Sequence, residues 1–354
     1  MNAPLRYGII GSGMMGLEHM LNVRLFEDAR VTAIADPHEA SRENGRKLAP
    51  QAEIYSDYRD LLARAPVDAV VISTPNNTHV DVLADIFQTD LHILVEKPLC
   101  TTVDDCRKVQ DAARKHRGIV WVAMEYRYMP PVTRVIDEAR AGTVGRVRMM
   151  AIREHRFPFL KKVGDWNRFA RNTGGTLVEK CCHFFDLMNL VVGTRPLRVF
   201  ASGAQDVNHL NESYGGEVPD ILDNAYVIVD YEGGARAILD LCMFAEATRN
   251  EQEISIVGEK GKLECFIPES TVVIGTRSPR SVVTSSVAVD EKIMKAGFHH
   301  GSTYFEHLYF QRAIRESSPA EVSVRDGLMA VAVGQAAELS VKTRQPVEIA
   351  ELLE

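Results

Sequence analysis

The sequence predicts a doubly wound α/β domain on a parallel sheet, followed by an α+β domain with a large, mainly antiparallel sheet. Three observations predict this. Short apolar, β-branched runs alternate with longer segments of helical spacing through the first 125 residues. A glycine-rich turn stands at the first strand–helix junction. Beyond Pro130-Pro131 the texture changes to successive β-runs separated by turns. A length of 354 residues suits two domains; the expected division is 1–125 and 126–354.

In the first domain the strand-length runs are Tyr7–Ile10, Val31–Ala35, Ala69–Ser73, His92–Val95 and Ile119–Met124. Helical spacing falls between them, over Met14–Arg24, Glu39–Leu48, Thr78–Gln88 and Val103–His116. Strand–helix alternation of this kind requires crossovers, and crossovers give a parallel sheet. The second domain opens with a helix over Val132–Ala141 and a strand over Arg146–Glu154. An irregular segment, Phe157–Gly175, leads to one helix from Thr176 to near Gly193. Then come β-runs at Val199–Ala204, Ala225–Tyr231, Ala235–Phe244, Glu253–Val257, Lys262–Phe266 and Thr271–Ile274. Helices over Thr303–Arg315 and Arg325–Thr343 close the chain.

Lys and Arg number 41 against 48 Asp and Glu, a net charge of −7. No block of like charge interrupts the mixture, so there is no general electrostatic drive toward nucleic acid or an anionic membrane. No apolar stretch is long enough to span a bilayer. The first residues lack the charged, apolar and cleavage regions of a secretory signal, which makes the cytoplasm the expected location. The six cysteines have no C-x-x-C spacing and are expected as reduced thiols, with no metal site.

The loop Gly11-Ser12-Gly13-Met14-Met15-Gly16 fits G-x-G-x-x-G between a strand and a helix. Its first glycine permits the tight turn, its second lets backbone approach a diphosphate, and its third lets helix pack on strand. Asp36 ends the second strand, 20 residues beyond Gly16. A carboxylate there accepts from both ribose hydroxyls and repels a 2′-phosphate, which favours NAD over NADP. Ser73, Thr74, Pro75, Asn77 and His79 follow the third strand run, where polar turn residues line the dinucleotide crevice. Taken alone they would pass for an ordinary turn and helix cap.

Glu96-Lys97-Pro98 ends the fourth run, so Lys97 emerges at the same carboxyl edge as the glycine loop. A lysine there can orient a substrate hydroxyl and stabilise an alkoxide, although a lone Lys-Pro is more often a surface lysine. Further on, Glu179 and His183 are spaced i, i+4 and would share one face of the helix, with Asp186 close by. A carboxylate beside an imidazole prepares it as a base for alcohol oxidation or an acid for ketone reduction. The plainer reading is an ion pair with a core histidine. Lys180 points off that face, and Cys181 and Cys182 pack as small apolar residues.

Taken together, these elements resemble the Gfo/Idh/MocA oxidoreductases, the group of glucose–fructose oxidoreductase and inositol dehydrogenase. The resemblance rests on the glycine loop, Asp36, Thr74-Pro75-Asn76-Asn77-Thr78-His79, Glu96-Lys97-Pro98 and the Gly174-Gly175…His183-Phe184-Phe185-Asp186 stretch. It implies a Rossmann domain plus an open-faced sheet domain that often mediates oligomerisation; the open sheet face after Val199 needs covering, so a homodimer or homotetramer is expected. It further implies hydride transfer between a nicotinamide cofactor and a hydroxyl or carbonyl carbon of a sugar, cyclitol or glycoside. Lys97 and His183 match the family's catalytic lysine and histidine. Glu179 stands where inositol dehydrogenase-like members carry Asp, one methylene shorter. Glu96 and Lys97 fall among the implied cofactor contacts. The family pattern further implies substrate contacts at Lys97, Tyr126, Arg127, Arg153, His155, Trp166, Asn167, His183, His299 and His300. Related activities on the same scaffold are NAD-dependent glycoside cleavage by transient oxidation, NADPH-dependent keto-sugar reduction and non-catalytic NAD sensing. The Lys97, Glu179 and His183 set argues against the last.

Overall fold

The structure, a computed structural model, describes residues 3–354. In chain order the elements are β1 (Leu5–Ile10), α1 (Met14–Val23), β2 (Ala29–Ala35), α2 (Glu39–Leu48), β3 (Glu53–Tyr55), α3 (Tyr58–Arg64), β4 (Ala69–Ile72), α4 (His79–Ile86), β5 (His92–Glu96), α5 (Val103–Ala113) and β6 (Val120–Ala123). There follow α6 (Pro130–Arg140), β7 (Val147–His155), α7 (Ala170–Thr173), α8 (Thr176–Glu179), α9 (Cys182–Val192), β8 (Pro196–Ala204), β9 (Asn224–Tyr231), β10 (Arg236–Cys242), β11 (Gln252–Gly258), β12 (Gly261–Ile267), β13 (Thr271–Arg277) and β14 (Arg280–Ser286). The chain ends with α10 (Glu291–Met294), α11 (Ser302–Glu316), α12 (Val324–Thr343), β15 (Val347–Glu348) and α13 (Ile349–Leu353). Among the described residues no helix is long and apolar enough to cross a membrane.

Two compact units result. Residues up to Tyr128 group with Asp290–Leu328, and Met129–Val289 groups with Met329–Glu354. The single division expected at 125 therefore differs from what is observed. The chain leaves the first unit after Tyr128, re-enters it at Asp290 and leaves it again within α12.

The first unit holds a six-stranded parallel sheet in the order β3-β2-β1-β4-β5-β6. The four residues of β4 are buried, as are Ile93, Leu94 and Val95 of β5. This burial on both faces explains why these strands read as continuous apolar runs rather than alternating ones. Strand order reverses between β1 and β4, and there Ser73 N–H donates to Ile10 O at 2.8 Å while Ser73 Oγ donates to Gly11 O at 2.7 Å. Helix α11 packs on α1 and on the turn after β6, and Val122 N–H donates to Val322 O at 3.1 Å.

The second unit holds a nine-stranded sheet in the order β14-β13-β12-β11-β7-β10-β9-β8-β15. β10 runs parallel to β7, and the other pairs are antiparallel. Helix α9 packs on β7, and α6 on β12 and β13. Their face of the sheet buries Val199, Val227, Val229, Leu239, Ile256 and Leu263, each worth roughly 1.5–3 kcal/mol relative to exposure. The other face is open. Phe200, Ile228 and Ile238 lie side by side across β8, β9 and β10, each more than two-fifths exposed.

The helix expected from Thr176 to near Gly193 is two helices, α8 and α9. At the break, Cys181 N–H reaches five residues back to Thr176 O at 3.3 Å, a widened turn of the kind that accommodates one extra residue.

Candidate functional site

Within the first unit the carboxyl edge of the sheet gathers the predicted cofactor residues. Gly11 has φ +92°, and a Cβ on it would lie 2.7 Å from Ser73 O, so this turn admits only glycine. A Cβ on Gly16 would lie 2.1 Å from Gly11 O, which is the close helix–strand packing the third glycine permits. A Cβ on Gly13 would meet nothing within 4 Å. The second glycine thus faces open space at the start of α1, where a diphosphate needs backbone and no side chain. Asp36 holds this loop from the end of β2. Its Oδ2 accepts from Ser12 N at 2.8 Å, and its Oδ1 accepts from His38 N at 2.8 Å. These residues fit a dinucleotide.

His79 has a different position from the one expected. It is fully buried, with Nδ1 2.9 Å from Pro98 O and Nε2 3.1 Å from Thr74 O. Burial holds it below the ordinary imidazole value, against the pull of those carbonyls. Its structural effect is to tie the loop after β4 to the turn after β5, where the Lys97–Pro98 bond is cis.

Lys97 leaves the end of β5 beside two carboxylates in contrasting surroundings. Glu96 is buried; its Oε1 lies 2.9 Å from His19 Nε2, and its Oε2 accepts from Lys97 N at 3.1 Å. His19 Nδ1 in turn lies 3.0 Å from His307 Nε2. Burial pushes Glu96 up, but the His19 hydrogen bond and the His19 and Lys97 charges outweigh it and hold the carboxyl below its ordinary value. Glu125, in the short turn after β6, is pushed up to about 7 by burial and then by the Glu96 charge, with His299 and Lys97 opposing. Two carboxyls with opposed shifts near one lysine are a common signature of acid–base chemistry.

Tyr126 and His299 join this edge, their ring centroids 6.2 Å apart. His299 and His300 thus belong to the first unit, not to the sheet domain where they were expected. Arg127 is buried and serves the fold: its Nη1 donates to Glu321 O at 3.1 Å, and its Nη2 lies 3.5 Å from Asp326 Oδ1.

In the second unit Glu179 and His183 are both buried at the α8–α9 break. Glu179 Oε1 accepts from Lys162 Nζ at 3.2 Å, and Lys162 Nζ stands 4.5 Å from the Trp166 ring centre. Trp166 is therefore drawn to the acid through a lysine that sequence reasoning passed over. Asn167 is fully buried and donates from Nδ2 to Leu160 O at 3.0 Å, which shapes the loop.

Lys180, expected as solvated or paired, is 5 % exposed with its Nζ 2.8 Å from Glu154 Oε1. Arg156 Nη1 donates to the same Glu154 oxygen at 3.3 Å. The pair anchors the helix break to β7. Arg153 and His155 do not join this site. Strand period 2 turns Met150, Ile152 and Glu154 toward the helices and Met149, Arg153 and His155 toward the open face. There Arg153 pairs with Glu253 at 2.6 Å and His155 with Asp240 at 3.1 Å.

Residues 5–124 match the family described as oxidoreductase family, NAD-binding Rossmann fold, and 139–349 match its C-terminal alpha/beta domain. The chain is similar to a myo-inositol 2-dehydrogenase of Thermotoga maritima, 26% identical over 99% of this chain and 100% of that one. It is equally similar to an inositol 2-dehydrogenase of Rhizobium meliloti, 26% identical over 98% and 99%. A solved levoglucosan dehydrogenase in complex with NADH shares the fold, with TM-score 0.85 and 19% identity over 98% of this chain and 99% of that one.

Proposed function

The chain belongs to the Gfo/Idh/MocA oxidoreductase family, and from that premise we propose that it is an NAD(H)-dependent dehydrogenase of a sugar or cyclitol. The observation that carries this reading is Lys97 at the carboxyl edge of the glycine-loop sheet, beside the contrasting Glu96 and Glu125. Full-length similarity to two inositol dehydrogenases supports the substrate class.

Gly11, Ser12, Gly13 and the first turn of α1 would hold the diphosphate, and Asp36 the adenosine ribose. The Asp36 carboxylate disfavours a 2′-phosphate, so NAD is the preferred form. When bound, the nicotinamide supplies the hydride-exchanging carbon. Lys97 donates to the substrate oxygen and stabilises its alkoxide. His183, oriented by Glu179 or Asp186, takes the hydroxyl proton in the oxidative direction and returns it in the reductive one. Tyr126 and His299 contact the polyol, and Trp166 supplies an aromatic platform.

The experiment is a panel of cyclitols, aldoses and aryl glycosides incubated with NAD and with NADP, read as reduced-cofactor absorbance. Turnover of a cyclitol or aldose with NAD preferred is expected. Release of phenol from an aryl glycoside without net NADH, or a preference for NADP, would overturn it.

We assign the open sheet face to a second copy of this chain. Beside the Phe200, Ile228 and Ile238 row runs a rung of Asp240, Arg153 and Glu253 with His155. That rung balances acid and base, so two faces can stack apolar row on apolar row without building up like charge. Light scattering should give a dimer or tetramer that Ile228→Asp converts to monomer; a monomeric wild type contradicts it. We place the protein in the cytoplasm, in keeping with six free cysteines, five of them buried.

A further inference from the structure

Helix α1 carries the glycine loop at its start and a buried carboxylate, Glu18, on its second turn. Glu18 is almost wholly buried, a position an acid rarely occupies without dedicated partners. Three donors converge on its Oε1: His299 Nδ1 at 2.9 Å, Thr303 Oγ1 at 3.0 Å and Phe298 N at 3.2 Å. A Cβ on Gly297 would lie 2.4 Å from that same oxygen, so Gly297 is what admits the carboxylate. One helical turn on, Asn22 Nδ2 donates to Ala296 O at 3.1 Å. Glu18 and Asn22 together pin the segment from Ala296 to Thr303 onto the cofactor helix.

We infer that Glu18 is a positioning residue that sets the tautomer and proton affinity of His299, and through it delivers a hydrogen-bond acceptor to the Lys97 edge. The inference rests on the proposed dehydrogenase reading for its use in catalysis. The chemistry is that of a carboxylate–imidazole dyad. A carboxylate on Nδ1 holds the proton there, so the neutral ring presents Nε2 as an acceptor, and it stabilises the imidazolium when a proton arrives. The groups that interact with this imidazole come from several elements: Glu18 on α1, Glu96 at the end of β5, and Glu125 and the Tyr126 ring after β6, while His19 acts on Glu18 and Lys97 on Glu96 and Glu125. Thr303 on α11 donates to the same Glu18 oxygen, and His300 is the next residue in the chain. His299 keeps about a fifth of its side chain exposed, whereas Glu18 does not, so the imidazole is the end of the dyad that can meet a small molecule. The same helix that would start at the diphosphate thereby fixes a substrate-reading group.

The test is histidine-selective ¹⁵N NMR of the full chain, with His299→Asn to assign the signal, beside steady-state kinetics of Glu18→Gln. Gln keeps an oxygen for the three donors and removes only the charge. In the wild type, the neutral His299 ring should carry its proton on Nδ1. In Glu18→Gln its titration midpoint should fall by about one pH unit. KM for the polyol should rise about tenfold in His299→Asn and less in Glu18→Gln, with kcat changed less than about threefold. A proton on Nε2, or one titration midpoint for both chains, overturns the inference. The NMR readouts need no substrate, so a panel that finds no polyol turnover overturns the proposed function while the dyad is judged separately.

Discussion

Replacing Glu338 with Gln should stabilise the second unit at pH 8 and leave it nearly unchanged at pH 5. Glu338 lies on the later part of α12, and its Oε1 accepts from Leu177 N at 2.9 Å, at the start of α8. A Cβ on Gly175 would come within 2.3 Å of that oxygen, so the carboxyl is wedged against the glycine turn that leads to Glu179 and His183. Burial raises its pKa from 4.5 to about 7, with the Leu177 N–H and Lys342 opposing. Between those two values the folded chain keeps a proton that the unfolded chain has released. Stability therefore falls as pH rises from about 4.5 to about 7 and levels off above. A rise from 4.5 to about 7 corresponds to at most about 3 kcal/mol, at roughly 1.4 kcal/mol per pH unit. Gln accepts from Leu177 N in the same way and carries no such pH dependence. Urea unfolding of both chains at pH 5 and pH 8 measures it. Equal pH dependence in the two chains, or a variant less stable at pH 8, would show that the Glu338 carboxyl is not held protonated by the fold.

Lys180→Met removes the nearer of the two cations on buried Glu154, at 2.8 Å against 3.3 Å for Arg156; the loss in thermal or urea unfolding should fall below the roughly 3–5 kcal/mol of a fully stranded charge. Adding Glu154→Gln to Lys180→Met should recover part of it, because the buried charge that lost its nearer partner is gone. Gly13→Ala should fold like the wild type, since its Cβ meets nothing within 4 Å, yet bind NADH about tenfold or more weakly by fluorescence titration. Gly16→Ala, with a Cβ 2.1 Å from Gly11 O, should lose both cofactor binding and the α1 junction by circular dichroism.

The alternation of strand and helix and the glycine loop were legible because local sequence determines them. A buried parallel strand needs a continuous apolar run, and the turns at Gly11 and Gly16 tolerate no side chain. β3 was missed because three residues carry no period, and β14 because all seven of its residues are exposed. The return of Asp290–Leu328 to the first unit depends on contacts far apart in sequence, such as Glu18 with His299, which no local pattern encodes. The same limit hid Glu18, Glu125, Glu154 and Lys162. Each is an ordinary charged residue until the fold buries it or brings it a partner. Arg153 and His155 could have been sorted from Glu154 by strand alternation alone, for in a strand neighbouring residues face opposite sides.

In the proposed reaction Lys97 and His183 perform the proton chemistry of a polyol dehydrogenase. The most direct measurement is kcat/KM of Lys97→Met and His183→Ala with NAD and the best substrate of the panel, on variants shown to fold by circular dichroism. Losses of about 10²–10⁴-fold are expected for each. Turnover within about tenfold of the wild type in either folded variant would contradict that role.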